Sequence, residues 1–152
     1  MRVYLMQHGV AASKDVDPER RLTDKGREDG VRMSVFLKPY GLKCDAIYHS
    51  GKARALETAK LISRGFDFAG DIEAKDGIAP LDPVGPVAEW LDSLKGDIAL
   101  VGHLPFMGKL VSKMVSGDED SGAVSFKPGT IVCMEKEEAG WSIAWMIRPG
   151  FA

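Results

Sequence analysis

The sequence predicts an α/β fold, a three-layer α/β/α sandwich in which a mainly parallel central sheet lies between two layers of helices. Two observations favour this fold class. Short apolar runs alternate along the chain with longer segments whose apolar residues recur at helical spacing. No internal repeat or low-complexity linker separates them, and 152 residues suit one hydrophobic core. We therefore expect residues 1–152 to form a single domain.

The predicted strands come from the short apolar runs. Continuous apolar runs are typical of strands that are covered on both faces, and they occur at residues 3–6, 46–48 and 98–101. Two further segments, 130–134 and 141–145, predict a closing pair of strands. Residues 137–140 between them have the composition of a hairpin turn.

Four helices are predicted between these strands. The first begins after Thr23, a good N-cap residue, and continues to about Leu37. The second has a face of small residues that can lie close to a sheet. The third and fourth have apolar residues at positions i, i+3, i+4 and i+7. In chain order, these three helices carry Ala55, Ala59 and Ile62; Val87, Trp90, Leu91 and Leu94; and Met107, Leu110, Val111 and Met114.

Composition excludes several classes of protein. Lys and Arg number 20 against 22 Asp and Glu, a net charge of −2, so nothing indicates binding to nucleic acid or an anionic membrane surface. No apolar stretch approaches the length of a membrane span, and the N-terminal segment lacks the apolar region of a signal peptide. Cys44 and Cys133 form no CxxC pair. We expect free buried thiols and a cytoplasmic location, and a monomer is favoured over a dimer.

The chain has three histidines, and each lies at the end of a predicted strand. They are His8, His49 and His103, all closely followed by glycine or proline. In open α/β sheets, ligands bind outside the carboxyl ends of the strands. A single histidine there would indicate a structural role, whereas three at the same edge favour a functional site.

Arg54 indicates which ligand this site would take. It is predicted in the first turn of its helix, where free N–H groups and the helix dipole favour an anion. Arginine and histidines beside a helix N-terminus are typical of a phosphate site. A metal site is the alternative, but no carboxylate lies at ligand spacing from the histidines. We therefore expect no metal.

Four blocks of the sequence resemble the histidine phosphatase superfamily, which has a phosphoglycerate mutase-like fold. They are a strand followed by Gln7-His8-Gly9, then Leu22-Thr23-Asp24-Lys25-Gly26-Arg27, then Ser50-x-x-x-Arg54-Ala55-x-x-Thr58-Ala59, and Val101-Gly102-His103. The small size, and His103-Leu104-Pro105 opening the last long helix, are most similar to the SixA-type phosphohistidine phosphatase branch. The blocks cover residues 3 to about 115 in the family's order.

The resemblance implies a phosphohistidine phosphatase that uses no cofactor. His8 holds the position of the nucleophile, and Arg54 and His103 hold the positions that bind the phosphoryl oxygens. Four further residues are predicted to contribute to phosphate binding: Gln7, Gly9, Ser50 and Lys52. The implied partner is a phosphorylated protein of the histidine-containing phosphotransfer type.

One position departs from the family pattern, because Gln7 stands where the family has arginine. Glutamine can donate an N–H group but brings no charge. A charge-assisted hydrogen bond contributes about 1.5–3 kcal/mol and a neutral one about 0.5–1.5, so we expect a rate lowered by one or two decades. Lys52 is a candidate to compensate. A protein that binds phosphoprotein or phosphate without turnover is therefore an alternative function.

A phosphatase of small phosphate esters is the other alternative. Such an enzyme needs a general acid, and the corresponding segment, residues 78–83, contains no glutamate. Asp82 is the one carboxylate there, and an aspartate before proline is common in turns.

Overall fold

A computed structural model describes residues 1–152. The strands are β1 (Arg2–Gln7), β2 (Ala46–His49), β3 (Ile72–Ala74), β4 (Ile98–Gly102), β5 (Ile131–Glu137) and β6 (Gly140–Ile147). The helices are α1 (Asp24–Leu37), α2 (Ala53–Ile62), α3 (Gly85–Ser93) and α4 (Phe106–Ser116). Short 3-10 helices lie at Lys38–Tyr40, Ser63–Gly65 and Pro149–Phe151. None of the helices has the length and apolar character that crossing a membrane requires.

The six strands form one sheet in the order β3-β2-β4-β1-β5-β6. The first four are parallel, whereas β5 pairs antiparallel with β1 and with β6. The mainly parallel sheet and the closing hairpin are confirmed. The sequence did not predict β3, a three-residue edge strand that is mostly exposed and therefore has no apolar run. Leu94, predicted within α3, lies one residue beyond its end.

Two hydrophobic cores lie on opposite faces of the sheet. Alternate residues of β1 enter different cores, Val3 and Leu5 on one face and Tyr4 and Met6 on the other. The helical residues divide in the same way: Leu91, Phe106, Leu110 and Val111 pack with the first pair, and Met33, Leu37, Ala59 and Ile62 with the second. The chain therefore has helices on both sides of the sheet, as the three-layer prediction requires.

Thr23 begins α1 as predicted, because its hydroxyl accepts a hydrogen bond from the Gly26 N–H at 3.1 Å. Gly26 packs so closely on the loop after β1 that a Cβ atom would clash with the Val10 carbonyl oxygen. This contact explains the glycine of the Leu22–Arg27 block physically: it lets the helix approach the loop that carries His8 and Gly9.

The predicted small-residue face of α2 is also present. Ala55, Ala59 and Ile62 are almost wholly buried. Cys44 and Cys133 are buried free thiols, as expected. The strands β1, β2 and β4 end at the same edge of the sheet, so their following residues are brought together there.

Candidate active site

A pocket of about 410 Å³ opens at this carboxyl edge. The residues in its lining that can act chemically are Gln7, His8, Arg20, Arg54 and His103. Its volume lies within the range of small-ligand sites. Four of these five residues were predicted from the sequence, and the structure brings them together from β1, α2 and the segment after β4.

His8 is held in one tautomer. Its Nδ1 lies 2.7 Å from the carbonyl oxygen of Gly9. A carbonyl oxygen only accepts hydrogen bonds, so Nδ1 carries the proton and donates it. The lone pair of the neutral ring is therefore on Nε2, the atom that a nucleophilic histidine needs.

His8 is also kept neutral. Its pKa is lowered from 6.5 to about 4, chiefly by burial and also by the charges of Arg54 and Arg20, against the opposing effect of the Gly9 hydrogen bond. At neutral pH the ring is therefore neutral, with its one proton on Nδ1 and a nucleophilic lone pair on Nε2.

His103 lies beside His8, with the two ring centroids 5.0 Å apart and the planes tilted by 57°. Its Nε2 is 2.6 Å from the hydroxyl oxygen of Ser50. Ser50 was predicted to contribute to the phosphate site, and the structure places it against His103 rather than in the pocket lining.

The surroundings of His103 disfavour the protonated form of its ring. Its pKa is lowered from 6.5 to about 3, chiefly by burial and also by His8, Arg54, Lys52 and Arg20. The ring is 2% exposed, so a charge there would be poorly solvated as well as repelled. His103 is a neutral hydrogen-bonding group unless an anion binds beside it.

Arg54 is in the first turn of α2, as predicted. Its Nε atom is buried and has no hydrogen-bond partner within the protein. Burial lowers its pKa, with a further contribution from Arg20, but a guanidinium remains charged in proteins. A buried N–H donor without a partner is costly, so this atom is suited to an anionic ligand.

Arg20 is the site residue that the sequence did not predict. It lines the pocket from the loop between β1 and α1. Its φ of 50° is in the left-handed region, which is unfavourable for arginine, and its Nε donates to the Ala12 carbonyl at 3.1 Å. The adjacent Arg21 instead forms an ion pair with Asp17 at 2.9 Å.

The only sequence signal for Arg20 was its position two residues before Leu22, at the start of the second family-like block. That signal does not choose between Arg20 and Arg21. The choice depends on the loop conformation, which turns the first side chain to the pocket and the second to Asp17.

Gln7 lies at the end of β1, where it is 8% exposed. Its Oε1 is buried and has no hydrogen-bond partner within the protein. The side-chain amide therefore has unused hydrogen-bonding capacity beside His8.

Gly9 and Thr58 connect the His8 turn to α2. The Gly9 N–H donates to the Thr58 hydroxyl oxygen at 3.0 Å, and that hydroxyl donates to the Arg54 carbonyl at 2.8 Å. Thr58 is 1% exposed. This chain of bonds sets the position of His8 relative to Arg54, which accounts for the threonine in the third block.

The other candidates lie outside the histidine pocket. Lys52 is exposed in an adjoining depression, which Asp82 also lines. Asp82 accepts a hydrogen bond from the Ala79 N–H at 2.8 Å, the contact expected of a turn aspartate. His49 accepts from the Gly51 N–H at 3.0 Å and does not line the pocket. No group of three or more His, Cys, Asp or Glu side chains is arranged to hold a metal ion.

Comparison with solved structures identifies the fold. The protein histidine phosphatase SixA, solved with tungstate, has a TM-score of 0.87 to this chain at 24% sequence identity, covering 99% of this chain and 98% of SixA. The fold is that of SixA. A phosphoserine phosphatase from Entamoeba histolytica, solved with 3-phosphoglyceric acid, has a TM-score of 0.75 at 13% identity over 97% of this chain and 96% of its own. The resemblance in the four sequence blocks is thus confirmed at the level of the fold.

Sequence comparison finds similar phosphatases. Human mitochondrial serine/threonine-protein phosphatase PGAM5 is 32% identical over 92 residues, which are 58% of this chain and 32% of PGAM5. The chain therefore spans about a third of the length of this relative. No family model matches the chain.

Proposed function

We propose that this protein is a phosphohistidine phosphatase with His8 as its nucleophile. The observation that carries the proposal is the state of His8. Its ring is neutral, and its Nδ1–H group donates a hydrogen bond to the Gly9 carbonyl oxygen. The lone pair of Nε2 is therefore available in a pocket that contains two guanidinium groups. The SixA-like fold and the similarity to a family of phosphatases support it.

In the first step, Nε2 of His8 attacks phosphorus while the bond from phosphorus to the substrate nitrogen breaks. The electron pair of the broken bond stays on the departing imidazole. That imidazole leaves as a neutral group when its other nitrogen carries a proton. His8 keeps its Nδ1 proton, which the Gly9 carbonyl accepts in a hydrogen bond.

In the second step, a water oxygen attacks phosphorus and the bond to Nε2 breaks. The electron pair returns to Nε2, so His8 regains the neutral form with its proton on Nδ1. The product is dihydrogen phosphate, which contains both protons of the water and releases one to solvent at neutral pH. Both steps therefore have a neutral imidazole as leaving group.

The cationic residues stabilise the charge that develops during both steps. The transition state of phosphoryl transfer spreads negative charge over three equatorial oxygens, and fixed positive donors around them lower its energy. Arg54 and Arg20 line the pocket that contains His8. Gln7 has no charge, and Arg20 supplies the second guanidinium group of the pocket. His103 contributes a hydrogen bond, or a charge once a dianion raises its pKa.

The leaving group favours phosphohistidine over a phosphate ester. An alkoxide needs a proton from a general acid, whereas a protonated phosphohistidine ring does not. Asp82, the one candidate acid in the 78–83 segment, is engaged with the backbone at Ala79. A phosphorylated protein is the partner class that this proposal implies, since SixA is named a protein histidine phosphatase.

A trapping experiment tests this proposal. The protein would be incubated with radiolabelled phosphoramidate and quenched in alkali, and we expect a label that is stable to base and labile to acid. The label should be absent from a His8→Gln variant and present in a His49→Gln control, with both folds checked by circular dichroism. Turnover above a few per cent, or a retained label, in His8→Gln would exclude His8 as nucleophile.

Binding without turnover is the second candidate function, and Gln7 favours it. An uncharged residue beside the nucleophile gives less transition-state stabilisation than arginine would. In that case phosphate would bind, as measured by calorimetry, while the wild-type protein would acquire no label in the same trapping experiment.

A further inference from the structure

A second depression adjoins the pocket that contains His8. It has a volume of about 420 Å³, and it shares Arg20, Arg54 and Pro80 with that pocket. Two lysines, Lys14 and Lys52, extend its lining outward. We call Lys14, Arg20, Lys52 and Arg54 the basic rim. Because the two pockets share side chains, a molecule bound in one would contact residues that also line the other.

The basic rim has positive charge that the protein itself does not neutralise. None of its four side chains takes part in any of the nine ion pairs of the chain. The one carboxylate in the depression, Asp82, accepts a hydrogen bond from a backbone N–H group instead. Four cations therefore face one acid in a protein whose net charge is −2.

A single phosphoryl group does not account for the whole rim. Arg20 and Arg54 line the histidine pocket, whereas Lys14 and Lys52 line only the adjoining depression. Lys52 is nevertheless close enough to lower the pKa of His103. The positive charge of the rim thus extends to the pocket that contains His8 and His103. Lys14 and Lys52 both lie in the depression beside that pocket.

We propose that the basic rim binds a second anionic group of the substrate, carried close to the phosphoryl group. This inference rests on the proposed phosphatase function and specifies its substrate class. The shared chemistry is a phosphoryl group with an anionic neighbour. The neighbour has two possible sources, an acidic side chain beside the phosphorylated residue of a protein, or a second phosphate of a small molecule.

The expected effect is on substrate recognition. Exposed lysines attract an anion within a Debye length of about 8 Å at physiological salt. The second anion is present in the ground state and in the transition state alike, so the rim should act mainly on KM. Replacing both lysines should lower kcat/KM for a doubly anionic substrate by about three- to tenfold.

Matched substrates test the proposal. One arm compares phosphohistidine peptides in which the neighbouring residues are Asp and Glu or their neutral counterparts Asn and Gln. The other arm compares inorganic phosphate with pyrophosphate, as ligands measured by calorimetry. Both arms use the wild-type protein, a Lys14→Gln, Lys52→Gln double variant, and a Lys43→Gln control whose exposed lysine precedes β2 at the opposite edge of the sheet.

The wild-type protein should prefer the doubly anionic member of at least one pair, and the double variant should lose most of that preference while the control retains it. A preference confined to the peptides would identify a carboxylate as the neighbour, and one confined to pyrophosphate would identify a second phosphate. No preference in either arm, or a preference that the double variant retains, would overturn the inference. If the phosphatase proposal itself is wrong, the protein will not hydrolyse phosphoramidate. The calorimetric comparison of phosphate with pyrophosphate will still test the basic rim in that case.

Discussion

The hydroxyl oxygen of Ser50 lies 2.6 Å from Nε2 of His103. This contact joins the residues that follow two neighbouring parallel strands, β2 and β4. The contact orients the imidazole ring of His103 beside His8. The centroids of the two imidazole rings are 5.0 Å apart. Ser50 therefore acts on the site through His103.

We predict that Ser50→Ala lowers kcat/KM for phosphoramidate by about two- to tenfold, the equivalent of one neutral hydrogen bond. His103 would lose the partner that orients it. Ser50→Thr, which keeps the hydroxyl, is the control and should retain most of the activity. Equal activity in the alanine and threonine variants would contradict an orienting role for the hydroxyl.

Arg20 and Gln7 give a second prediction. Arg20→Gln should lower kcat/KM by about ten- to a hundredfold, because a charge-assisted hydrogen bond is lost from the transition state. Gln7→Arg should restore much of that loss when combined with Arg20→Gln, since both positions line the same pocket and an arginine at either one brings a charge to it. Kinetics of the four proteins form a double-mutant cycle. Additive effects would show that the two residues act independently.

Acid sensitivity of the fold is a third prediction. The pKa values of His8 and His103 in the folded protein, about 4 and about 3, lie below the ordinary value of 6.5. As pH falls below 6.5 the unfolded chain takes up protons first, so the free energy of unfolding should decrease between pH 6.5 and pH 3. The slope is up to about 1.4 kcal/mol per pH unit for each histidine.

Urea unfolding at pH 7, 6, 5 and 4 measures this slope, and His8→Gln should make it shallower. Acidic side chains are common to both proteins, so the difference between the proteins reports on His8 together with its effect on the pKa of His103. Parallel curves would contradict a lowered pKa for His8.

A fourth prediction concerns Gly26, whose close approach to Val10 leaves no space for a side chain. Gly26→Ala should destabilise the protein by about 1–3 kcal/mol, because backbone must move to accommodate the methyl group. Gly108 is the matched control, since it is also the third residue of its helix and an added Cβ would meet only Leu104 at 3.8 Å. Gly108→Ala should be neutral or stabilising in denaturant unfolding.

Chelation is the fifth test. The phosphoryl group would be held by the guanidinium groups of Arg20 and Arg54, so phosphoramidate hydrolysis should survive extended dialysis against EDTA. Loss of activity that a divalent ion restores would favour a metal-dependent mechanism instead.

Much of the site could be predicted because its residues follow strands. His8 follows β1 and His103 follows β4, and parallel strands that end at one edge bring such residues together without further information. Arg54 could be predicted for the same reason, since α2 begins shortly after β2. Arg20 belongs to a loop between β1 and α1, and no periodic pattern specifies the direction of a loop side chain.

The sequence by itself determined the strands with continuous apolar runs, the four helices and the edge of the sheet where chemistry would occur, because burial on a strand or helix repeats with a short local period. Only the tertiary structure decided that Arg20 rather than Arg21 lines the pocket, that His103 is neutral, and that Lys14 and Lys52 join one basic rim. These properties depend on distances and desolvation among residues far apart in the chain, and neither quantity is encoded in local spacing.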